Sequence, residues 1–194
     1  MNRIFLVVFI SIGFLNGCSN AIENYLYDID TAKLIREIEG DAKQGDADAQ
    51  YNLANRYAFG TDVPKDYVKS IYWHTKAAEQ GNAIVQYQLA IAYDLGKIVT
   101  KDESKAVYWY AKSAIQNNAG AQYQLGGKYF FGKGVPKDMV LAYAWFNIAE
   151  INGDAGAAEI LVDGELLLNP NELRQAKQIA AHWKVGQNIK HQVK

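Results

Sequence analysis

The sequence predicts an all-α fold in which antiparallel helix pairs stack one after another into a solenoid. A motif recurs every 36 residues, and glycine and aspartate stand at fixed places within each copy. Proline, which breaks helices, occurs only three times, beside 13 tyrosines, 7 phenylalanines and 4 tryptophans. A chain with few breaks and many large apolar side chains suits packed helices.

The repeat appears without any gap when residue n is placed beside residues n+36 and n+72. Ten columns then carry the same residue three times, far more than chance agreement gives. Repeats of this length are typical of stacked architectures, in which each copy buries its apolar face against its neighbours. The identical columns are Ala47/Ala83/Ala119, Gln50/Gln86/Gln122, Tyr51/Tyr87/Tyr123, Leu53/Leu89/Leu125, Tyr57/Tyr93/Tyr129, Gly60/Gly96/Gly132, Val63/Val99/Val135, Lys65/Lys101/Lys137, Asp66/Asp102/Asp138 and Trp73/Trp109/Trp145.

Each copy is predicted to contain two helices. In the first copy, apolar residues recur at helical spacing from Ala47 to Phe59. Gly60 is expected to end this helix, because glycine adopts positive φ at little cost. Asp66 is placed to cap a second helix, which runs to about Gln80.

Incomplete copies are predicted at both ends, where a stack needs polar outer faces. A second helix without its first precedes the repeats, from Thr31 to Gln44, and a partial copy follows them. A last helix begins with Asn169 and Pro170, and Glu172 is placed to complete a capping box.

The pattern Ala-x-x-Gln-Tyr-x-Leu-Ala-x-x-Tyr-x-x-Gly, followed by Val-Pro-Lys-Asp and Tyr-Trp, resembles the Sel1-like repeat, a relative of the tetratricopeptide repeat. The resemblance implies a right-handed α-solenoid over residues 28–185, whose role is to bind another protein. Its expected parts are repeats near 45–80, 81–116 and 117–152, a partial repeat at 153–168, a capping helix at 170–185 and a polar tail at 186–194.

The N-terminus is typical of a secretory signal peptide. Arg3 precedes an apolar run of 12 residues from Ile4 to Leu15, which is shorter than the about 20 residues of a transmembrane helix. Residues 15–18 resemble the lipobox of bacterial lipoproteins, although Asn16 departs from the usual small or hydroxyl residue.

The lipobox resemblance implies that residues 1–17 are removed, that Cys18 carries a lipid and that residues 18–27 form a tether. Ser19 stands where an aspartate in this family favours retention at the inner membrane, so an outer-membrane lipoprotein facing the periplasm is expected. The alternative is an ordinary signal peptide with an incidental cysteine. Because Cys18 is the only cysteine, no disulfide forms within the chain.

No motif for catalysis, metal binding or nucleotide binding is found in the sequence. His74, His182 and His191 lack metal-ligand spacing, and His74 is expected to be a packing residue. The glycine-rich stretches 126–128 and 132–134 do not complete a phosphate-binding loop. A net charge of −1 gives no sign of a nucleic-acid partner. We therefore expect no enzyme activity, cofactor, metal, nucleic acid or small-molecule substrate.

The candidate binding surface is the concave groove, which the first helices line by analogy with tetratricopeptide repeats. Tyrosine is a frequent interface residue, but packing within the stack explains the repeated tyrosines equally well. The variable column at positions 55, 91 and 127 is where specificity is expected. The candidate groove residues are Tyr51, Asn55, Phe59, Tyr87, Ile91, Asp94, Leu95, Tyr123, Phe130 and Phe131.

Three functions are compatible with this sequence. The first is a membrane-anchored adaptor in the bacterial envelope, with an unidentified protein partner. The second is an immunity protein that neutralises a secreted type VI effector such as a lipase. The third, a β-lactam-type hydrolase, is the least favoured, because that activity belongs to cysteine-rich relatives whose cysteines this chain lacks. The fold does not choose among them.

Overall fold

The computed structural model describes residues 28–164 and 166–187, apart from the side chains of residues 162 and 163. The predicted signal peptide, Cys18, the tether and the tail from residue 188 onward lie outside these ranges. Within them, helices alternate with short connections and no strand occurs, which confirms the all-α solenoid. The helices are α1 (28–44), α2 (Ala47–Phe59), α3 (Tyr67–Glu79), α4 (Ala83–Leu95), α5 (Glu103–Ala114), α6 (Ala119–Phe131), α7 (Met139–Ile151), α8 (Ala155–Gly164) and α9 (Pro170–His182).

The turn within each helix pair explains four of the repeated columns, as the second copy shows. Gly96 ends α4 with φ of 65°, and a Cβ built on it would lie only 2.8 Å from Cβ of Lys101. The backbone N–H of Asp102 donates to the carbonyl of Tyr93 at 2.9 Å, which closes the turn. The Asp102 carboxylate accepts from the N–H of Lys105 and caps α5.

The repeated glutamine joins each repeat to the one before it. Gln86 donates through Nε2 to the carbonyl of Ala78 in the preceding second helix, at 2.9 Å. Its Oε1 accepts from Nε2 of Gln116, which follows the second helix of the same repeat, at 2.8 Å. Equivalent bonds surround Gln50 and Gln122. Buried polar groups need such partners, so this column is a structural requirement of the stack.

The two ends of the stack are packed to different extents. Residues from α3 to α9 share one apolar core, whereas α1 and α2 form a separate, smaller cluster around Leu53. Trp145 is 2% exposed and contacts Trp183 at a ring distance of 6.1 Å, but Trp73 is only half-buried. The C-terminal end is therefore the better covered of the two.

The capping helix α9 begins as predicted and ends earlier. Asn169 and Glu172 form the capping box. The helix ends at His182 rather than at residue 185, because Trp183 adopts extended backbone and its indole donates to the carbonyl of Gln187 at 3.0 Å. The N–H of Gly186 donates to the carbonyl of Ile115, which ties this segment to the end of α5.

Candidate protein-binding surface

A row of exposed apolar side chains lies at the carboxyl ends of the first helices. Phe59, Leu95 and Phe131 are the last residues of α2, α4 and α6, and are 77%, 57% and 65% exposed. Leu167 follows Phe131 by one period in the sequence, lies in the turn after α8 and is 58% exposed. Single exposed apolar residues are ordinary on a protein surface, whereas clustered ones mark interaction sites. We call these four residues the apolar row.

Lysine side chains lie beside the row. Lys65 and Lys137 pack against the glycines that follow Phe59 and Phe131, since a Cβ on either glycine would lie 3.2–3.3 Å from the lysine Cβ. The ammonium group of Lys133 lies 5.3 Å from the ring centre of Phe131, within cation–π range. The surface around the row is thus both aromatic and basic.

The repeated tyrosines are half-buried and belong mainly to the framework. The hydroxyl of Tyr51 accepts from Nε2 of Gln88 in the next repeat at 3.4 Å. Burial raises the pKa of Tyr87, and a Cβ on Gly120 in the next repeat would lie 3.1 Å from its hydroxyl oxygen. Each tyrosine ring packs on an aromatic side chain of its own second helix; the pairs are Tyr51/His74 at 5.8 Å, Tyr87/Tyr110 at 5.9 Å and Tyr123/Phe146 at 5.5 Å.

The first of two pockets on the first-helix side, the N-terminal pocket, has a volume of about 330 Å³. Asn55, Phe59, His74 and Gln88 are among its lining residues. His74 is 9% exposed, and its Nδ1 lies 3.3 Å from the hydroxyl oxygen of Ser70. Burial lowers the pKa of His74, because the charged imidazolium loses solvation. The expectation that His74 is a packing residue is confirmed.

The second pocket, the C-terminal pocket, is larger, with a volume of about 480 Å³. It lies where the second and third repeats meet α8 and the segment after it. Its lining combines aromatic and apolar side chains with charged ones. The residues that line it are Asp94, Lys101, Glu103, Tyr123, Gln124, Gly127, Lys128, Phe130, Phe131, Lys133, Phe146, Ile160, Gly164 and Leu167.

A buried ion pair lies at the border of the C-terminal pocket. Lys128 is 5% exposed and forms a salt bridge with Asp94, which also accepts from the Tyr110 hydroxyl at 3.4 Å. Burial, aided by the Asp94 charge, raises the pKa of Tyr110. A second ion pair joins Lys101 to Glu103 at 2.8 Å, and this hydrogen bond lowers the pKa of Glu103. Asp94 is thus engaged within the stack.

The predicted groove residues divide into four groups. Asn55 and Phe59 line the N-terminal pocket. Leu95 is exposed without lining either pocket. The other two groups are Asp94, Tyr123, Phe130 and Phe131, which line the C-terminal pocket, and Tyr51, Tyr87 and Ile91, which pack half-buried against the core.

Several residues of this surface were missed by the sequence reasoning, among them Leu167, Lys128, Lys133 and Phe146. Leu167 was detectable by extending the column of Phe131 by one more period. Lys128, Lys133 and Phe146 gave no such signal, because the period alone does not tell which columns meet in one pocket. Their place in the pocket follows only from three-dimensional contacts.

Two further findings concern other kinds of site. Across residues 28–164 and 166–187, no group of three or more potential metal ligands lies close enough to hold an ion. In the same ranges, no helix is both long and apolar enough to cross a membrane.

The repeats match the Sel1 repeat family model at residues 47–82, 83–118 and 119–154, which together make up more than half of the chain. The chain therefore belongs to the Sel1 repeat family. Proteins built from this repeat mediate protein–protein interactions. A comparison with curated proteins found no match.

Solved structures resemble the chain over most of its length. A Sel1 repeat protein from Oxalobacter formigenes is 36% identical, with a TM-score of 0.61, over 66% of this chain and 96% of that one. A protective antigen of uropathogenic Escherichia coli is 32% identical, with a TM-score of 0.50, over 77% of this chain but only 40% of its own. Cysteine-rich protein B of Helicobacter pylori is 25% identical, with a TM-score of 0.50, over 69% and 96%.

Proposed function

We propose that this protein is an adaptor of the bacterial envelope, which binds a protein partner along the apolar row while a lipid on Cys18 holds it at the outer membrane. The observation that carries the proposal is the row itself. Four consecutive copies expose an apolar side chain at one position, where burial against a partner would contribute roughly 25 cal/mol per Å² of apolar area.

The choice of this face rests on contrast with the repeated tyrosines. Tyr51, Tyr87 and Tyr123 are half-buried and contact their own second helices, so much of their side-chain surface is already buried within the stack. Phe59 and Phe131 keep well over half of their surface exposed. Exposed aromatic side chains are common binding hot spots, because they lose little conformational entropy when they become buried.

The binding proposal is tested with a triple variant, Phe59→Ala, Leu95→Ala and Phe131→Ala. We expect the variant to stay folded, because all three side chains are exposed, and to lose the protein that the native chain captures from envelope extracts. The captured protein, identified by mass spectrometry, would separate an assembly role from the immunity role.

A matched control removes three exposed side chains from the second helices, with Tyr72→Ala, Tyr108→Ala and Ile151→Ala. These residues are 53%, 53% and 68% exposed, and none of them lines either pocket. Capture should survive in this control. Equal capture by the native chain and both variants would contradict binding along the row.

The anchoring proposal is tested with Cys18→Ser. We expect the native protein to fractionate with outer membranes and the variant to be lost from that fraction, because a thioether-linked lipid needs the cysteine sulfur and stable anchoring needs more than one acyl chain. The native chain should also yield an N-terminal peptide with lipid mass on Cys18. The same fractionation for both proteins would refute the anchor.

A further inference from the structure

The C-terminal pocket is open because position 127 lacks a side chain. The two preceding copies carry Asn55 and Ile91 in this column. A Cβ built on Gly127 meets no atom within 4 Å, so a larger residue there would extend into the pocket without a clash. Gly126 differs, because a Cβ on it would lie 2.8 Å from the Phe146 ring.

The walls of this pocket suit an aromatic ring. Phe130 and Phe131 meet edge to face at 4.8 Å, and Tyr123 and Phe146 meet at a tilt at 5.5 Å. Together they offer both ring edges and ring faces, and aromatic pairs favour such offset contacts. The pocket volume of about 480 Å³ lies within the range of ligand sites.

The lining of the pocket carries three lysines against two carboxylates, and the charge of Lys133 also helps to lower the pKa of Glu103. Asp94 pairs with Lys128, and Glu103 pairs with Lys101. Lys133 forms no ion pair with any residue in the described ranges, and its ammonium group lies over the Phe131 ring. Electrostatic complementarity therefore favours an anionic group beside the pocket mouth.

We propose that the C-terminal pocket binds an aromatic side chain of the partner protein next to an acidic residue in the partner's sequence. The ring packs among the aromatic walls, and the carboxylate meets Lys133. This inference rests on the proposed function and specifies the chemistry of the segment that the partner presents. The apolar row then receives the rest of that segment, because Phe131 and Leu167 belong to both the row and the pocket.

The test uses a minimal probe, N-acetyl-aspartyl-phenylalanine amide, added to the full-length protein in detergent micelles. Backbone NMR signals of Gly127, Phe131 and Ile160 should shift as the probe is added. A probe with lysine in place of aspartate should bind at least about threefold more weakly, because repulsion from Lys133 replaces attraction. A probe with alanine in place of phenylalanine should cause no shift.

Variants link the shifts to the pocket. Gly127→Ile fills it with the side chain found at residue 91 and should abolish the shifts. Its control, Gly127→Ala, adds only a methyl group at the helix surface and should bind the probe normally. Lys133→Gln should weaken binding about twofold to fivefold, as expected for a partly exposed ion pair. Thermal melts of all three variants would establish that each one is folded.

The proposal is overturned if none of the probes shifts these signals, if Gly127→Ile binds as well as the native chain, or if the lysine probe binds as tightly as the aspartate probe. Capture of the natural partner distinguishes failure of the pocket assignment from failure of the proposed adaptor function. If the row variant loses the partner and Gly127→Ile keeps it, the adaptor function stands and the pocket assignment fails. If both variants keep the partner, the adaptor function along this face fails as well.

Discussion

The two pockets occupy the same structural position, two repeats apart, with different side chains at the corresponding places. Six lining residues correspond at a separation of 72 positions. The N-terminal pocket is mostly polar or small at these places, and the C-terminal pocket is mostly aromatic or open. The corresponding pairs are Asn55/Gly127, Ala58/Phe130, Phe59/Phe131, His74/Phe146, Gln88/Ile160 and Ala92/Gly164.

Between the two pockets, the corresponding positions one repeat along carry a third set of side chains. Asp94 and Lys128 stand there at the places of Ala58 and Ala92, and their ion pair joins two neighbouring repeats. The columns that build the stack are identical in all three copies, so the backbone frame is constant while these variable columns change. Specificity in such a solenoid therefore lies in a few side chains on a repeated frame.

The largest expected effect comes from breaking the ion pair at this middle level. Asp94→Ala should destabilise the fold by about 3 kcal/mol, because it leaves the Lys128 ammonium buried without a partner. Adding Lys128→Ala reproduces the alanine pair of the N-terminal level and should restore most of the loss. Urea unfolding of both variants would measure this. A double variant no more stable than the single one would contradict the account.

A smaller effect, with opposite signs, is expected at two adjacent glycines of α6. Gly126→Ala should destabilise the fold by about 1 to 3 kcal/mol, because the added methyl overlaps the Phe146 ring. Gly127→Ala should stabilise it by roughly 0.5 to 1 kcal/mol, because alanine favours the helix and meets open space. Unfolding midpoints of the two variants would test this prediction. Stability changes of the same sign in both variants would contradict the described surroundings of Gly126 and Gly127.

The smallest effect concerns the N-terminal pocket and depends on pH. Burial depresses the pKa of His74 below its ordinary value, so the unfolded chain binds a proton more readily than the folded one. Stability from this residue is complete above the unfolded pKa of about 6.5 and falls as the pH drops below it. His74→Phe, which copies Phe146, should lose less stability than the native chain between about pH 7.5 and pH 5.5. If urea unfolding shows the same loss of unfolding free energy for the native chain and for His74→Phe over this pH range, His74 is not the source of the pH dependence.

The helices were predictable from sequence because residues near each helix end determine where the helix begins or stops. Gly60, Asp66 and Asn169 mark the ends and caps of helices through their own backbone and side-chain preferences, and the structure confirms each one. Three of the four row residues, Phe59, Leu95 and Phe131, were predicted from the period, and Leu167 lies one further period along.

The pocket chemistry was not predictable, because it depends on departures from the repeat. The ion pair joins residues 34 positions apart, which is not a multiple of the period, so no comparison of columns reveals it. The sequence placed Gly127 in the variable column of the groove, but only the structure shows that its missing side chain leaves open space beside a cavity. The repeat fixes the frame, whereas contacts across columns define the site.

The most direct test of the adaptor account is photo-crosslinking in intact cells. A photoreactive amino acid is placed in turn at Phe59, Leu95 and Phe131, and at the second-helix positions Tyr72 and Tyr108. The account expects the same envelope protein to crosslink at all three row positions and at neither second-helix position. Crosslinks to that protein only from Tyr72 and Tyr108 would show that the partner binds the opposite helices, and would contradict binding along the apolar row.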